Sequence, residues 1–493
     1  MKKSMYYREV RPTMFSLFTI ITALTLLGTA VPTQNDTAVI ASFAGRTITL
    51  QEFRLAYLDA MKDPAVFDSP ERRKEFLDEM IAARLLASEA VKQGLAKDEL
   101  TSNRINAYRR KVLRDEHFTS VIKPKVRTEE KDVEEAYQFT QEQRRVSHLF
   151  FTRSTAADSA YDRLMHGASF DSIAAVIFTD SALASTGGDL GWVEWDQMDY
   201  DLAMTAFRLL PDVFSRPIHS QYGYHILKVT DFKKHPMITR QQYAERRRKT
   251  KYLLENKIGD TYALEYITRM LASASIRLKP EVMQFVDGKL SRQFTRKPKP
   301  ADQMSPLQLR DSEVKLIETS MWDARNDVMA EINGQPMTVA DFIGFMQYIP
   351  YAVTYSGFRK TFDYAVRDFL IAHEAEALGL EQKNIVRVRT ELYKEFLLQN
   401  ALRSILVRDV TVSSKEIRSY YDRNKNSYPN MNFEQARPFL TETVLNTKRQ
   451  KAVPSFVARM LAGRPITRRM EIINSYYNAV SAKEIRPATA DSN

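Results

Sequence analysis

Apolar and polar positions along this chain follow two periods, and the switch from one to the other marks its organisation. Leu77, Ile81 and Leu85 recur at every fourth position, one face of a helix. Ser69-Pro70 supply an N-cap and first helical residue ahead of them, and Gly94 a stop behind. Similar spacing predicts helices over roughly 99–121, 129–140 and 239–275. Between the last two the period shortens to two. Val146, His148 and Phe150 alternate with Ser147, Leu149 and Phe151, and His225, Leu227 and Val229 alternate with Tyr224, Ile226 and Lys228. Each set predicts a strand. Helical spacing returns between the strands at Asp158–Met165 and Phe170–Ile177, with Gly167 as a stop. Gly187-Gly188 and Gly191 bracket Asp189-Leu190 and predict a tight turn. The order from Arg145 to Asp231 is therefore strand, helix, helix, turn, helix, strand.

The pattern then repeats. Ala330 to Phe342 echoes Ala41 to Phe53, with Gly334, Thr338 and Phe342 in the places of Gly45, Thr49 and Phe53. Leu370–Leu380 echoes Leu85–Leu95, Val410–Tyr421 echoes Val126–Tyr137, and Phe456–Ala462 echoes Tyr266–Ala272. Four echoes in one order define a duplicated helical module. In the first copy an extra stretch of about ninety residues sits between the third echo and the fourth; in the second copy Tyr421 runs almost at once into the closing helices. The first copy is thus split by an insertion. Its ends are expected to be neighbours, so residues 144–233 are expected to fold as a self-contained unit.

Length and composition add bounds. The chain has 493 residues, enough for more than one core. It lacks cysteine, which excludes disulfides, zinc–thiolate sites and a cysteine nucleophile. Lys2, Lys3, Arg8 and Arg11 precede an uncharged, mostly apolar run from Phe15 to Val31, and Gly28-Thr29-Ala30 offers a small-residue cleavage site. This is the pattern of a signal peptide or N-terminal membrane anchor over 1–33 and predicts export to the periplasm or cell envelope. The net charge is +11, and Arg246 to Lys251 holds a basic run. That run reads as a solvated helix face, because it has no interleaved aromatics for stacking on nucleic acid. No nucleic-acid partner is expected. Arg296-Lys297-Pro298-Lys299-Pro300 reads as linker.

Three motifs in the split copy resemble the parvulin-type peptidyl-prolyl isomerase family. They are the S-H-L strand at Ser147–Leu149, G-G-D-L-G-W at Gly187–Trp192, and P-I-H-S-Q-Y-G-Y-H-I at Pro217–Ile226. The flanking helices look like the SurA and PrsA group of exported folding factors. The resemblance implies an α+β fold: a helical, chaperone-like cradle built from the duplicated module, with one inserted parvulin domain of a small antiparallel sheet plus helices. Residues 34–143 are the N-terminal helical lobe on this reading. Residues 144–233 are the isomerase domain, 234–295 the returning helices, and 296–325 a linker. Residues 326–480 form the second module without an insert, and 481–493 a tail.

The resemblance also implies a site. His148 and His225 lie side by side on adjacent strands, bonded to each other across the sheet in relatives. Asp180 matches a position that carries Asp or Cys, although the same residue also sits where a helix N-cap would. Leu190, Met198 and Tyr222 match residues lining a proline pocket, Leu202 stands where Phe is found, and Ser220 matches a Ser or Thr beside the closing histidine. Rotation about X-Pro meets a barrier of ~18–20 kcal/mol set by amide resonance, and no bond breaks. Such a site needs an apolar slot and a few polar groups, with no metal and no cofactor. The partners implied are unfolded or nascent exported polypeptides with X-Pro bonds, with possible membrane association through the N-terminus. One departure concerns the loop before the last strand, where Pro211-Asp212-Val213-Phe214-Ser215 lacks the glycine the family carries. A non-catalytic chaperone or scaffold, whose parvulin domain only binds peptides, is the alternative.

Overall fold

The structure is a computed structural model that describes residues 36–485 apart from 62, 64–66, 221–222, 236–239 and 295–307. The leader, Tyr222, the Arg296–Pro300 run and the last residues of the tail lie outside the described residues.

The chain opens with a hairpin of β1 (Val39–Phe43) and β2 (Arg46–Thr49). Ala44 and Gly45 at its tip both take positive φ, 47° and 73°, as a two-residue hairpin turn requires. Thr49 then caps α1 (Leu50–Ala60): its hydroxyl accepts from the Glu52 amide, and the Glu52 carboxylate accepts from the Thr49 amide. Next come α2 (Pro70–Lys92), α3 (Glu99–His117) and α4 (Glu130–Phe139). Ser69 caps α2 as its sequence predicts, and Leu77, Ile81 and Leu85 are buried.

The insertion follows with β3 (Glu142–Phe151), α5 (Ser154–Met165), α6 (Phe170–Ile177), α7 (Ser181–Ser185) and β4 (Asp189–Glu194). It closes with α8 (Tyr200–Arg208), β5 (Ile218–Ser220) and β6 (Gly223–Lys234). The strands form one antiparallel sheet in the order β4-β3-β6-β5. Strand alternation divides the side chains between two faces. Leu149, Phe151 and Ile226 pack with Ala157 and Leu164 of α5 and Ile173 of α6. Val146, Leu227 and Val229 pack on the opposite face with Trp195, Leu202 and Phe207.

The second face is where the insertion differs from the self-contained unit expected. Its apolar cluster continues into Val133 and Ala136 of α4 and into Leu254 of the returning helix α9 (Arg240–Ser273). Helices outside 144–233 therefore complete the core of the insert.

Beyond α9 lie β7 (Ile276–Leu278), α10 (Pro280–Leu290) and α11 (Asp311–Ser320). Helix α11 forms inside the stretch read as linker, because Val314 and Ile317 are one turn apart and both buried. The second copy comprises β8 (Val328–Ile332), β9 (Gln335–Thr338), α12 (Val339–Met346), α13 (Tyr351–Ser356) and α14 (Phe358–Ala377). It continues through α15 (Asn384–Arg408), α16 (Ser414–Arg423) and α17 (Phe433–Leu461), and ends with β10 (Ile466–Arg468) and α18 (Met470–Ile485).

The two copies exchange their last strands. β1 pairs with β2 and with β10, the final strand of the other copy; β8 pairs with β9 and with β7. The exchange is reciprocal atom for atom: the Arg469 amide donates to the Ile40 carbonyl, and the Lys279 amide to the Met329 carbonyl. Two structural units result. The described parts of Asp115–Thr338 with Met346–Leu370 form one; the described parts of Thr25–Arg114 and Ile371–Asn493, with Val339–Phe345, form the other. The second unit is held by an apolar cluster around Phe43, Phe53, Tyr57 and Ile473. Its Arg84, 11% exposed, bridges Glu52 and Glu395 at 2.7 and 2.8 Å. A guanidinium so buried stays charged because both carboxylates compensate its lost hydration.

Candidate active site

The two strand histidines share a face of the sheet. His148 follows Val146 by two on β3, and His225 precedes Leu227 by two on β6, so both lie on the face of the cluster that holds Met198 and Leu202. The register sets Phe150, rather than His148, directly opposite His225, with ring centres 5.2 Å apart. The imidazoles lie diagonally, 6.0 Å between centres and 22° between planes. This corrects the expected bond between them. His225 Nε2 instead meets the Ser220 hydroxyl at 2.7 Å, because β5 pairs with β6 on the far side from β3 and brings Ser220 alongside. The Nδ1 atoms of both histidines are buried without a hydrogen-bond partner among the described residues.

Burial fixes their charge state. His148 is 5% exposed and His225 1%. Loss of hydration, then the neighbouring His225, pushes His148 down to about 3. Loss of hydration, then His219, pushes His225 down to about 4. Both rings are neutral near pH 7.

The other expected residues divide into three groups. Leu190, Met198 and Leu202 come together in one apolar cluster with Trp195 and Phe207. Asp180 is an N-cap: its carboxylate accepts from the amides of Ala182 and Leu183 at 2.8 and 3.4 Å and starts α7. Tyr222 lies outside the described residues. Sequence reading missed Phe178, whose ring lies 5.4 Å from that of His148, and Phe150. The alternation that placed His148 also placed Phe150, so its signal was present. Gly188 has a steric reason: a Cβ there would lie 2.1 Å from the His148 carbonyl oxygen, and its own carbonyl accepts from the His148 amide at 2.9 Å. In the loop that lacks the glycine, Asp212 takes a left-handed φ of 65° and its amide donates to the Val229 carbonyl. Asp tolerates this region better than most residues.

A residue from outside the insert braces this wall. Lys257 on α9 donates from Nζ to the Met198 carbonyl and lies 5.3 Å from the centre of the Trp195 ring. One turn on, burial pushes the Asp260 carboxyl up to about 7, with Lys257 pulling it down and Asp199 pushing it up. A carboxyl with a raised folded pKa binds more protons folded than unfolded. Its stabilisation is complete below about 4 and is lost as pH rises through about 7. Asp260→Asn is therefore expected to raise the melting temperature of the full chain at pH 8 and to leave it unchanged at pH 4. An equal shift at both pH values would contradict this.

Comparison with known proteins places this geometry in a class. Residues 152–231 match the rotamase, PPIC-type PPIASE domain family. The insert is a parvulin-type peptidyl-prolyl isomerase domain. The chain is 31% identical over 160 residues to the foldase protein PrsA of Bacillus subtilis (strain 168), covering 32% of this chain and 52% of that protein. It is 22% identical over 279 residues to a parvulin-like PPIase of Rickettsia bellii, covering 54% of this chain and 96% of that protein. The chain spans about half the length of the first curated relatives it matches. Among solved structures, PrsA from Bacillus subtilis aligns at 22% identity and a TM-score of 0.18 over 50% of this chain and 95% of that one. The parvulin domain of PpiD from E. coli aligns at 26% identity and a TM-score of 0.17, over 19% and 90%. No helix of the described residues is long and apolar enough to cross a membrane.

Proposed function

We propose that this protein is an exported folding factor that binds unfolded secreted or envelope polypeptides and catalyses cis–trans isomerisation of their X-Pro bonds. The observation that carries the reading is the pair of neutral, buried imidazoles set on the same sheet face as the Leu190, Met198 and Leu202 cluster. In this proposal the cluster, with Tyr222, holds the proline ring. Dehydration around the ring favours the twisted amide, which has lost its conjugation. His148, His225 and Ser220 form a hydrogen-bonding surface without net charge, and Asp180 adds a carboxylate at the start of α7. No nucleophile, metal or cofactor is required, because no covalent bond changes. The N-terminal apolar run supplies export, and the helical modules supply weak, broad binding of unfolded chain.

Turnover on an Ala-Pro or Leu-Pro peptide tests the catalytic part. Met198→Ala and Leu202→Ala are each expected to lower kcat/KM about 10- to 100-fold, the scale on which a hydrophobic pocket responds to lost methylenes. Circular dichroism checks that each variant is folded. A folded wild type with no turnover above the spontaneous rate would overturn catalysis and leave a domain that binds peptides only.

A further inference from the structure

The second module contains a groove of about 660 Å³ between α16 and α17, lined also by Leu406 and Val410. The duplication shows what such a groove accepts. Alignment of the echoes sets Ser419, Tyr420 and Arg423 of α16 at the positions of Glu135, Ala136 and Phe139 on α4. It sets Val444, Thr447 and Lys448 of α17 at the positions of Leu254, Lys257 and Ile258 on α9. The helix pairs start alike, since Ser413 with Glu416 and Glu129 with Asp132 form capping boxes at equivalent places.

In the first copy these positions hold α8. Ala136, Phe139, Leu254 and Ile258 belong to the cluster around Leu202 and Phe207, and the Phe139 and Phe207 rings lie 5.7 Å apart. Glu135 pairs with Arg208 at 2.7 Å, and Lys257 donates to the Met198 carbonyl at the entry to the helix. The α4–α9 surface is therefore a seat for an amphipathic helix. The second copy keeps the seat and has no insert to fill it.

The walls have changed with it. The lining positions of the first copy balance three cations (Lys131, Lys257, Arg269) against three acids (Asp132, Glu135, Glu265). In the second copy five cations (Lys415, Arg423, Lys448, Lys451, Arg459) face Glu416 alone, and Glu416 is already engaged by Lys448 at 2.7 Å. Ser419 and Ser455 stand where the first copy has Glu135 and Glu265, while Val444, Leu406 and Tyr420 supply an apolar lining. We infer that the α16–α17 groove binds an acidic amphipathic helix of a partner polypeptide, seated as α8 is seated in the first copy. Charge complementarity selects the partner, and the apolar lining requires a helix with one apolar face. This site is independent of the isomerase reading.

The test uses the full chain and a labelled synthetic peptide of about 18 residues, with Leu on one helical face and Glu on the other. Fluorescence anisotropy is expected to show saturable binding. Arg423→Glu with Lys451→Glu should weaken binding about tenfold or more, and Ser419→Trp, which fills the groove without changing charge, should do the same. Isomerase turnover should be unchanged in both, so a failure here is distinct from a failure of catalysis. A peptide of the same composition with its Leu and Glu positions scrambled should bind far more weakly. Equal binding of the scrambled peptide, or binding unaffected by both variants, would overturn the inference. So would occupation of the groove by a second copy of this chain, seen as a dimer in sedimentation that Ser419→Trp dissociates.

Discussion

A fragment cut at residues 144–233 is expected to be severely destabilised, whereas one spanning 126–275 is expected to fold cooperatively. The reason is the apolar face beneath α8. Val133, Ala136 and Leu254 are 0–1% exposed, and Phe139, Leu253 and Ile258 pack around them against Trp195, Leu202 and Phe207. Each large side chain is worth ~1.5–3 kcal/mol when fully buried, so removing both flanking helices costs on the order of 5–10 kcal/mol. A domain of this size has only ~5–15 kcal/mol in total. Loss of Lys257 also releases the Met198 carbonyl, so the wall of the pocket loosens with the core. Within the full chain, Leu254→Ala should cost about 2–5 kcal/mol through the cavity it leaves. Urea unfolding followed by tryptophan fluorescence and far-ultraviolet circular dichroism measures both effects. A cooperative transition in the 144–233 fragment, with a midpoint equal to that of 126–275, would show that the flanking helices contribute nothing.

Local pattern carried much of this fold, and long-range pairing did not. The four echoes revealed the duplicated module because repeated side chains bury repeated faces, as Leu77, Ile81 and Leu85 do. The strand exchange was hidden. Ile276–Leu278 and Ile466–Arg468 are three-residue strands with mostly exposed side chains, so hydrophobic pattern does not select their partners. The shared core of the insert was hidden for a related reason. The apolar faces of α4 and α9 read as ordinary helix stripes, and nothing in a stripe names the surface it meets. At the site, alternation and motif together placed His148 and His225 on one face. They did not give the register, which sets Phe150 opposite His225 and leaves Ser220 as the nearer hydrogen-bonding partner.

Acidification from pH 7 to pH 4 is expected to destabilise the insert through its histidines while leaving turnover flat near pH 6.5. In an unfolded chain both imidazoles take up protons near 6.5. Folded, burial holds His148 at about 3 and His225 at about 4. Below 6.5 the unfolded state therefore binds more protons than the folded state, and stability falls as pH falls, levelling only once pH passes below about 4 and then about 3. At pH 4 the pair removes on the order of 5 kcal/mol relative to pH 7, since each pKa unit is worth ~1.4 kcal/mol. Asp260 acts in the opposite sense over part of this range, so Asp260→Asn should make the acid loss steeper by removing its compensation. His148→Gln keeps a polar group in the same space without a titrating nitrogen, and should flatten the loss between pH 6 and pH 4. Turnover answers a separate question. If the rings work as neutral hydrogen-bonding groups, kcat/KM on an Ala-Pro peptide should show no inflection between pH 6 and pH 8. An inflection near 6.5 that disappears in His225→Gln would mean that His225 is reached by water and charges in the working enzyme. The neutral pair would then be the wrong description of the site, and the groove would have to open to solvent during each turnover.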